Sequence, residues 1–138
     1  MADPGVHLCG SVPLTDAETV FRSAAARLGD RLKRLPDGET GERSNWIRWQ
    51  LPKLQTNPDL ESVAPPNRGY SPLLKLRPRE GVDPEAVAFG DLGYADQALA
   101  SWQLFSRLKA ERVIPSDVRF QVSLPTPVAV ITQFVAEQ

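Results

Sequence analysis

Residues 6–36 read VHLCGSVPLTDAETVFRSAAARLGDRLKRLP and predict a strand, a helix and a second strand. The apolar run at 6–10 is typical of a buried strand, and residues 31–35 form a second short strand that ends before a proline. Between them, apolar side chains recur at helical spacing over residues 15–28, and a glycine follows. Two strands joined by a helix make a βαβ unit, so this stretch predicts an alternating α/β fold with a parallel sheet.

The rest of the chain is interpreted from the same signals. The helix at 15–28 is predicted to begin with a capping box, in which the side chains of Thr15 and Glu18 bond to amides of the first turn. A second helix is predicted from residue 46 through Gln50, stopping near Pro52, and the longest helix is predicted within residues 91–112, capped near Gly93. A further helix is predicted at 128–135, and strands are predicted at 73–76 and 118–124. The buried stripe of the longest helix is predicted to contain Ala98, Leu99, Trp102, Phe105 and Leu108.

Proline usage and length define the predicted organisation of the chain. Thirteen prolines occur, with a concentration between residues 52 and 84. They predict a long irregular excursion over about 52–90 and not a packed hairpin. Residues 1–138 as a whole are predicted to form a single domain.

The composition is that of a globular protein, and it argues against several classes of function. Of the 138 residues, 41% are hydrophobic and 24% are charged, and the formal net charge is −1. A chain with this balance has no field that would draw it to nucleic acid or to an anionic membrane. No apolar run approaches the roughly 20 residues that span a bilayer, and no leader pattern is present, so we expect a cytoplasmic protein. The single histidine and single cysteine, His7 and Cys9, share a face of the first strand, and we expect packed core positions for both instead of a metal site.

Polar residues cluster at the ends of the predicted strands, where α/β folds place their functional groups. If the strands are parallel, the loops at these ends meet at one edge of the sheet and bring together Ser11, Asp37, Glu39, Ser123 and Thr126. Turn formation alone also explains such residues. Asp37, Glu39 and Glu42 could bind a divalent cation or an amine once partly desolvated. Arg43 or Arg48 could pair with them instead, and an arginine-paired or solvated loop is favoured over a metal site. No nucleotide-binding, hydrolase or zincin motif occurs.

Three short motifs follow the predicted strands in chain order. The first is Cys9-Gly10-Ser11-Val12-Pro13. The second is Leu35-Pro36-Asp37-Gly38-Glu39, followed by Arg43, Asn45 and Trp49, and the third is Thr126-Pro127-Val128-Ala129. Together they resemble the superfamily that unites cobalamin-independent methionine synthase with uroporphyrinogen decarboxylase. In its methionine synthase branch these motifs read Ile-Gly-Ser-Phe-Pro, Gly-Glu-x-x-Arg-x-Asp-Met-Val-x-Tyr and Gly-Pro-Val-Thr, and this chain has one extra residue between its glutamate and its arginine. Members of the superfamily are (β/α)₈ barrels, so the resemblance implies a partial TIM barrel made of the first three to four βα units.

The resemblance also implies roles for the motif residues. In the methionine synthase branch, the residues that match Ser11 and Glu39 help to bind an amino-acid thiol, with the carboxylate facing its ammonium group. Asp37 and Arg43 then belong to the same substrate-binding loop, and Thr126 lines the wall of the pocket. The zinc of that branch is held by His, Cys and Glu from later strands. We therefore expect no metal or other cofactor in this chain, zinc only in a complete barrel, and methyltransferase activity only from that complete barrel.

Three interpretations of the chain stay open. The chain ends inside a predicted apolar helix, and its 138 residues are fewer than the roughly 250 of a closed barrel. It is expected to be the N-terminal part of a methionine-synthase-like barrel protein that binds a small substrate with an amine or a carboxylate. The first alternative is a stand-alone, non-catalytic α/β module that binds a ligand or assembles with itself. The second is a fragment of a uroporphyrinogen-decarboxylase-like enzyme, in which Arg43 and Asp37 would hold propionates and pyrroles.

The expected partners follow from these interpretations. They are a small-molecule substrate and either a second copy of the chain or the missing C-terminal half of the barrel. Neither nucleic acid nor a membrane is expected as a partner.

Overall fold

The computed structural model of the chain describes residues 5–8, 11–63 and 75–125, apart from the side chains of residues 46–48. Within these residues the helices are α1 (Ala17–Leu28), α2 (Trp46–Gln55) and α3 (Tyr94–Ala110), and the strands are β1 (Arg34–Pro36), β2 (Leu60–Val63), β3 (Lys75–Pro78) and β4 (Arg119–Gln121). Short 3₁₀ turns lie at Gly29–Arg31, Gly41–Asn45 and Pro84–Ala86. The described residues form two compact units, unit 1 from residues 5–45 and 93–124 and unit 2 mainly from residues 46–92.

Unit 1 combines helices with parallel strand pairing, so the predicted α/β class is confirmed. Strand β1 pairs in parallel with β4, and Leu35 lies opposite Phe120. Upstream of β1, Val6 forms an isolated parallel bridge with Leu32. The chain around Val6, β1 and β4 therefore all run in the same direction. The strands are much shorter than predicted, and neither sheet closes on itself within the described residues.

Helix α1 begins two residues later than the prediction, because its N-cap is Asp16 and not Thr15. The Asp16 carboxylate accepts a 2.7 Å hydrogen bond from the Thr19 backbone amide. The predicted capping box is therefore wrong: the Thr15 hydroxyl bonds to Asp16, and Glu18 pairs with Arg22 at 2.7 Å. A carboxylate is a strong acceptor for the amides at a helix start, and this explains why Asp16 takes the capping position.

Three phenylalanines hold the core of unit 1 together. Phe21 of α1 makes edge-to-face contacts with Phe105 of α3 at 5.7 Å and with Phe120 of β4 at 6.4 Å between ring centroids. Around them the buried apolar side chains are Ala25, Leu32, Leu35, Leu108, Ile114 and Val118. Such ring arrangements add to the free energy gained from burying the apolar area itself.

The buried face of α3 differs from the predicted stripe. Phe105 and Leu108 are buried as predicted, but Leu99 and Trp102 are 52% and 51% exposed. Ser101 is buried in their place. Residues 101, 105 and 108 share one face of the helix because they are spaced by four and three positions, and this face packs towards α1.

Unit 2 contradicts the predicted irregular excursion. Strands β2 and β3 pair antiparallel, with Leu60 opposite Pro78. Helix α2 continues past Pro52 to Gln55. Leu54, Leu60 and Leu76 form a small buried cluster, and burial of these side chains offsets the backbone hydrogen bond that Pro52 cannot donate.

The remaining predictions concern the segment around His7 and the C-terminal residues. His7, predicted in the core, is exposed, because residues 5–8 contribute a bridge and not a buried strand. Cys9, Thr126 and the helix predicted at 128–135 lie outside the described residues. No helix in the described part of the chain is long and apolar enough to cross a membrane.

Replacing Phe21 with alanine is expected to lower the free energy of unfolding by about 3–5 kcal/mol, because the fully buried ring leaves a cavity. Urea unfolding followed by circular dichroism measures the change. Phe89→Ala is the control: Phe89 is 63% exposed, so its removal should change the free energy by less than about 0.5 kcal/mol. A loss in Phe21→Ala no larger than the loss in the control would contradict the described core.

Candidate functional site

The candidate site lies in the loop that follows β1, residues 37–43, which we call the rim loop. Its first residue, Asp37, is only 6% exposed. The Arg43 guanidinium donates to Asp37 Oδ2 at 2.6 Å, and the Ser101 hydroxyl donates to the same oxygen at 2.6 Å. The other oxygen, Oδ1, accepts the backbone amide of Glu39 at 3.1 Å. Asp37 therefore ties both ends of the rim loop to helix α3.

The protonation state of Asp37 follows from two opposed influences. Burial is the largest single influence, and it raises the pKa of Asp37 because it removes water from the charged form. The hydrogen bonds from Ser101, Arg43 and the Glu39 amide, with the positive charge of Arg43, act in the opposite direction. Together they outweigh burial and hold the pKa of Asp37 below its ordinary value. Asp37 is therefore ionised at neutral pH.

Three residues of the rim loop, Gly38, Glu39 and Gly41, have left-handed backbone conformations. Gly38 has φ of 77° and Glu39 has φ of 48°. A Cβ atom on Gly38 would lie 3.0 Å from Val20 Cγ2 and 3.1 Å from Val12 Cβ, so a larger residue would be both strained and crowded. The carbonyl of Gly38 accepts a 2.8 Å bond from the Val12 amide. This close approach brings the segment that contains Ser11 against the rim loop.

Glu39 and Ser11 meet on the accessible side of the rim loop. The Ser11 hydroxyl donates to Glu39 Oε2 at 2.9 Å, in an exposed setting. A residue other than glycine with positive φ costs of order 1–3 kcal/mol, and such conformations cluster at binding and active sites. The strained backbone of Glu39 is held by the Asp37 bond, and its side chain faces Ser11.

The structure thus brings together four of the predicted site residues, namely Ser11, Asp37, Glu39 and Arg43. Glu42 is exposed in the same loop, and Ser123 is half-buried beyond β4. Thr126 lies outside the described residues. Ser101 was not among the predicted site residues, although a serine on the face of α3 shared with Phe105 and Leu108 is a signal that its hydroxyl has a buried partner.

A concave region lies in unit 2, between the C-terminal half of α2 and residues 88–92. Its cavity of about 570 Å³ is within the range of small-molecule pockets. Lys53, which lines it, donates to the Leu92 carbonyl at 2.8 Å and lies 3.8 Å from the centre of the Trp49 ring. Because its ammonium group is already engaged within the unit, the rim loop is the stronger candidate.

Comparison of the chain with protein-family models, with curated proteins and with solved structures finds no match. In the part of the chain that the structure describes, no three side chains of His, Cys, Asp or Glu come together as a metal ion would require. The described residues therefore do not form the kind of ligand set that holds zinc. The functional groups of the rim loop and of the residues that contact it are carboxylates, hydroxyls and a guanidinium.

Replacing Asp37 with asparagine is expected to lower the free energy of unfolding by about 1.5–3 kcal/mol at neutral pH, because the partly buried Arg43 loses its charged acceptor. The folded pKa of Asp37 is lowered, so its contribution is fully present above the unfolded pKa of about 3.9 and is lost as pH falls through the folded pKa. The difference between the two proteins should therefore shrink on acidification.

Urea unfolding at a series of pH values from neutral to about 2 measures this difference. Asp117→Asn is the control, because the side chain of Asp117 is 63% exposed and lies 3.6 Å from Lys33 on the surface. A difference for Asp37→Asn that stays constant with pH would contradict the ionised, buried state.

Proposed function

We propose that this chain is the N-terminal part of a methionine-synthase-like barrel protein, in which Glu39 and Ser11 bind the amine group of a small substrate. The observation that carries the proposal is the 2.9 Å hydrogen bond from the Ser11 hydroxyl to Glu39 Oε2. These residues lie 28 positions apart in the sequence, and they are the pair for which the family resemblance implies contact with substrate. The proposal concerns binding; methyl transfer belongs to the complete barrel.

The direction of the strands supports this proposal. The chain around Val6, β1 and β4 run parallel to one another, and Ser11 and the rim loop follow the first two of these segments. In (β/α)₈ barrels the functional groups lie in the loops at the carboxyl ends of the strands. Glu39 follows β1 and Ser11 follows the segment around Val6, and these are the positions that the proposal requires.

The chemistry of the pair favours a cation over an anion. A carboxylate has about four lone-pair positions, and the Ser11 hydroxyl occupies one of them. Because the Ser11 proton is donated to Glu39, the hydroxyl oxygen is left as a second acceptor. A primary ammonium group has three donors, so it can bond to Glu39 and Ser11 together.

Asp37 and Arg43 take a different role in this proposal. Both oxygens of Asp37 accept hydrogen bonds from the protein, and Arg43 donates to one of them from a side chain that is only 14% exposed. We assign this pair to holding the rim loop, and we assign substrate contact to Glu39 and Ser11.

Replacing Glu39 with glutamine is expected to weaken the binding of an amino-acid thiol, for which L-homocysteine is the probe, by roughly 10- to 100-fold, because the ammonium group loses a charge-assisted hydrogen bond. Isothermal titration calorimetry on the 138-residue chain measures the affinity. Glu42→Gln removes an exposed carboxylate from the same loop and should leave the affinity unchanged. N-acetyl-L-homocysteine, which has no ammonium group, should not bind. Equal affinities for the Glu39 and Glu42 variants would rule out the assignment.

A second candidate function is a self-assembling module, and one observation favours it. Four large apolar side chains of unit 1 are more than half exposed: Leu99 (52%), Trp102 (51%), Val122 (53%) and Leu124 (59%). Leu99 and Trp102 are three positions apart on α3 and so share a face of the helix. Apolar surface of this kind is typical of interfaces when it forms a continuous patch.

If this helix face joins two copies of the chain, sedimentation equilibrium should show a concentration-dependent dimer. Trp102→Asp should then lower the association by roughly tenfold or more, because it would bury an unpaired charge in the interface. Gln103→Asp adds the same charge at the neighbouring exposed position of α3 and serves as the control. A wild-type chain that stays monomeric at all concentrations would remove this candidate.

A further inference from the structure

We propose that Ser101 of helix α3 is a positioning residue for the Glu39 carboxylate and acts on it through Asp37. This inference rests on the proposed function, in which Glu39 and Ser11 contact the substrate. It adds to that site a residue that lies on a different element and does not itself touch the ligand.

Three hydrogen bonds, connected through the residues Asp37 and Glu39, join Ser101 to the proposed contact residues. The Ser101 hydroxyl donates to Asp37 Oδ2 at 2.6 Å. Asp37 Oδ1 accepts the amide of Glu39 at 3.1 Å, and Glu39 Oε2 accepts the Ser11 hydroxyl at 2.9 Å. Ser101 and Asp37 are each 6% exposed, so water competes little for the first bond of the path.

The two oxygens of Asp37 have separate tasks. Both side-chain donors, Ser101 and Arg43, bond to Oδ2, and Oδ1 is left to hold the backbone of Glu39. Rotation of the carboxylate about its Cβ–Cγ bond therefore breaks two side-chain hydrogen bonds. With Arg43 alone the same rotation breaks only one, so Oδ1 is held less firmly opposite the Glu39 amide.

Packing alone does not explain a serine at this position. Phe105 and Leu108, on the same face of α3, are buried apolar side chains, and alanine is a better helix former than serine. A buried hydroxyl costs free energy unless it is hydrogen-bonded. The bond to Asp37 supplies the compensation and couples α3 to the rim loop.

The test uses the Ser101→Ala variant and the backbone amide resonance of Glu39 in ¹⁵N NMR spectra. In the wild type this resonance should shift as Asp37 is protonated, since the amide donates to its carboxylate. Arg43 is the charged partner of Asp37 in both proteins, and loss of the Ser101 donor raises the pKa of Asp37. In Ser101→Ala the Glu39 amide should shift at neutral pH, because the position of Oδ1 relative to this amide changes, and the titration midpoint of the amide should move to higher pH because the pKa of Asp37 rises.

Ser106→Ala, on another face of the same helix, is the matched control and should leave the Glu39 amide unchanged. Ser101→Cys keeps the size of the side chain with a weaker donor; it should change the resonance in the same direction, and it replaces the alanine variant if that variant does not fold. The affinity for L-homocysteine should fall roughly 3- to 30-fold in Ser101→Ala and stay constant in Ser106→Ala.

The readouts separate this inference from the proposed function. An unchanged Glu39 amide in Ser101→Ala overturns the inference, and so does an amide that shifts while the affinity stays at the wild-type value. If wild-type protein binds no L-homocysteine, the proposed function fails, and with it the role of Ser101 in binding. The amide resonance then still reports whether Ser101 positions the backbone of Glu39.

Discussion

Asp37 is only 6% exposed, and a carboxylate in such a position is stable as an anion only when donors surround it. Arg43, Ser101 and the Glu39 amide are those donors. Arg43 lies in the 3₁₀ turn at Gly41–Asn45, Ser101 lies in helix α3, and Glu39 lies near the start of the rim loop. The Asp37 side chain therefore joins three parts of unit 1. The left-handed turn at Gly38 and the contact of Gly38 with Val12 depend on Asp37, because Gly38 lies in the loop that Asp37 holds.

Asp37 and Glu39 of the rim loop have separate tasks for a physical reason. Asp37 faces inward, where both of its oxygens are already bonded, and it therefore has little capacity to bind a ligand. Glu39 faces the accessible side, where Ser11 orients it and leaves acceptor positions open. Asp37 holds the backbone of Glu39 and leaves the Glu39 carboxylate accessible to a ligand. A preorganised binding site requires such an arrangement.

Local signals in the sequence predict part of this structure, and tertiary contacts determine the rest. Helix α1 is predictable because its apolar spacing and the stop at Gly29 lie within a few residues of each other. The approach of Ser11 to the rim loop is predictable from parallel strands. Ser101 is not, since its partner Asp37 is 64 positions away and only the fold brings them together. The antiparallel pair in unit 2 is not predictable either, because prolines dominate the local sequence pattern. Leu60 is buried by residues that are distant from it in the sequence, such as Leu76.

The most direct test of this account is the titration of the Asp37 carboxyl carbon by ¹³C NMR in the intact chain. We predict a midpoint below the ordinary aspartate pKa of about 3.9, because three donors outweigh burial. A midpoint at or above that value would mean that burial dominates and that Asp37 does not hold the rim loop as an anion. The arrangement of Glu39 and Ser11 would then need a different physical basis.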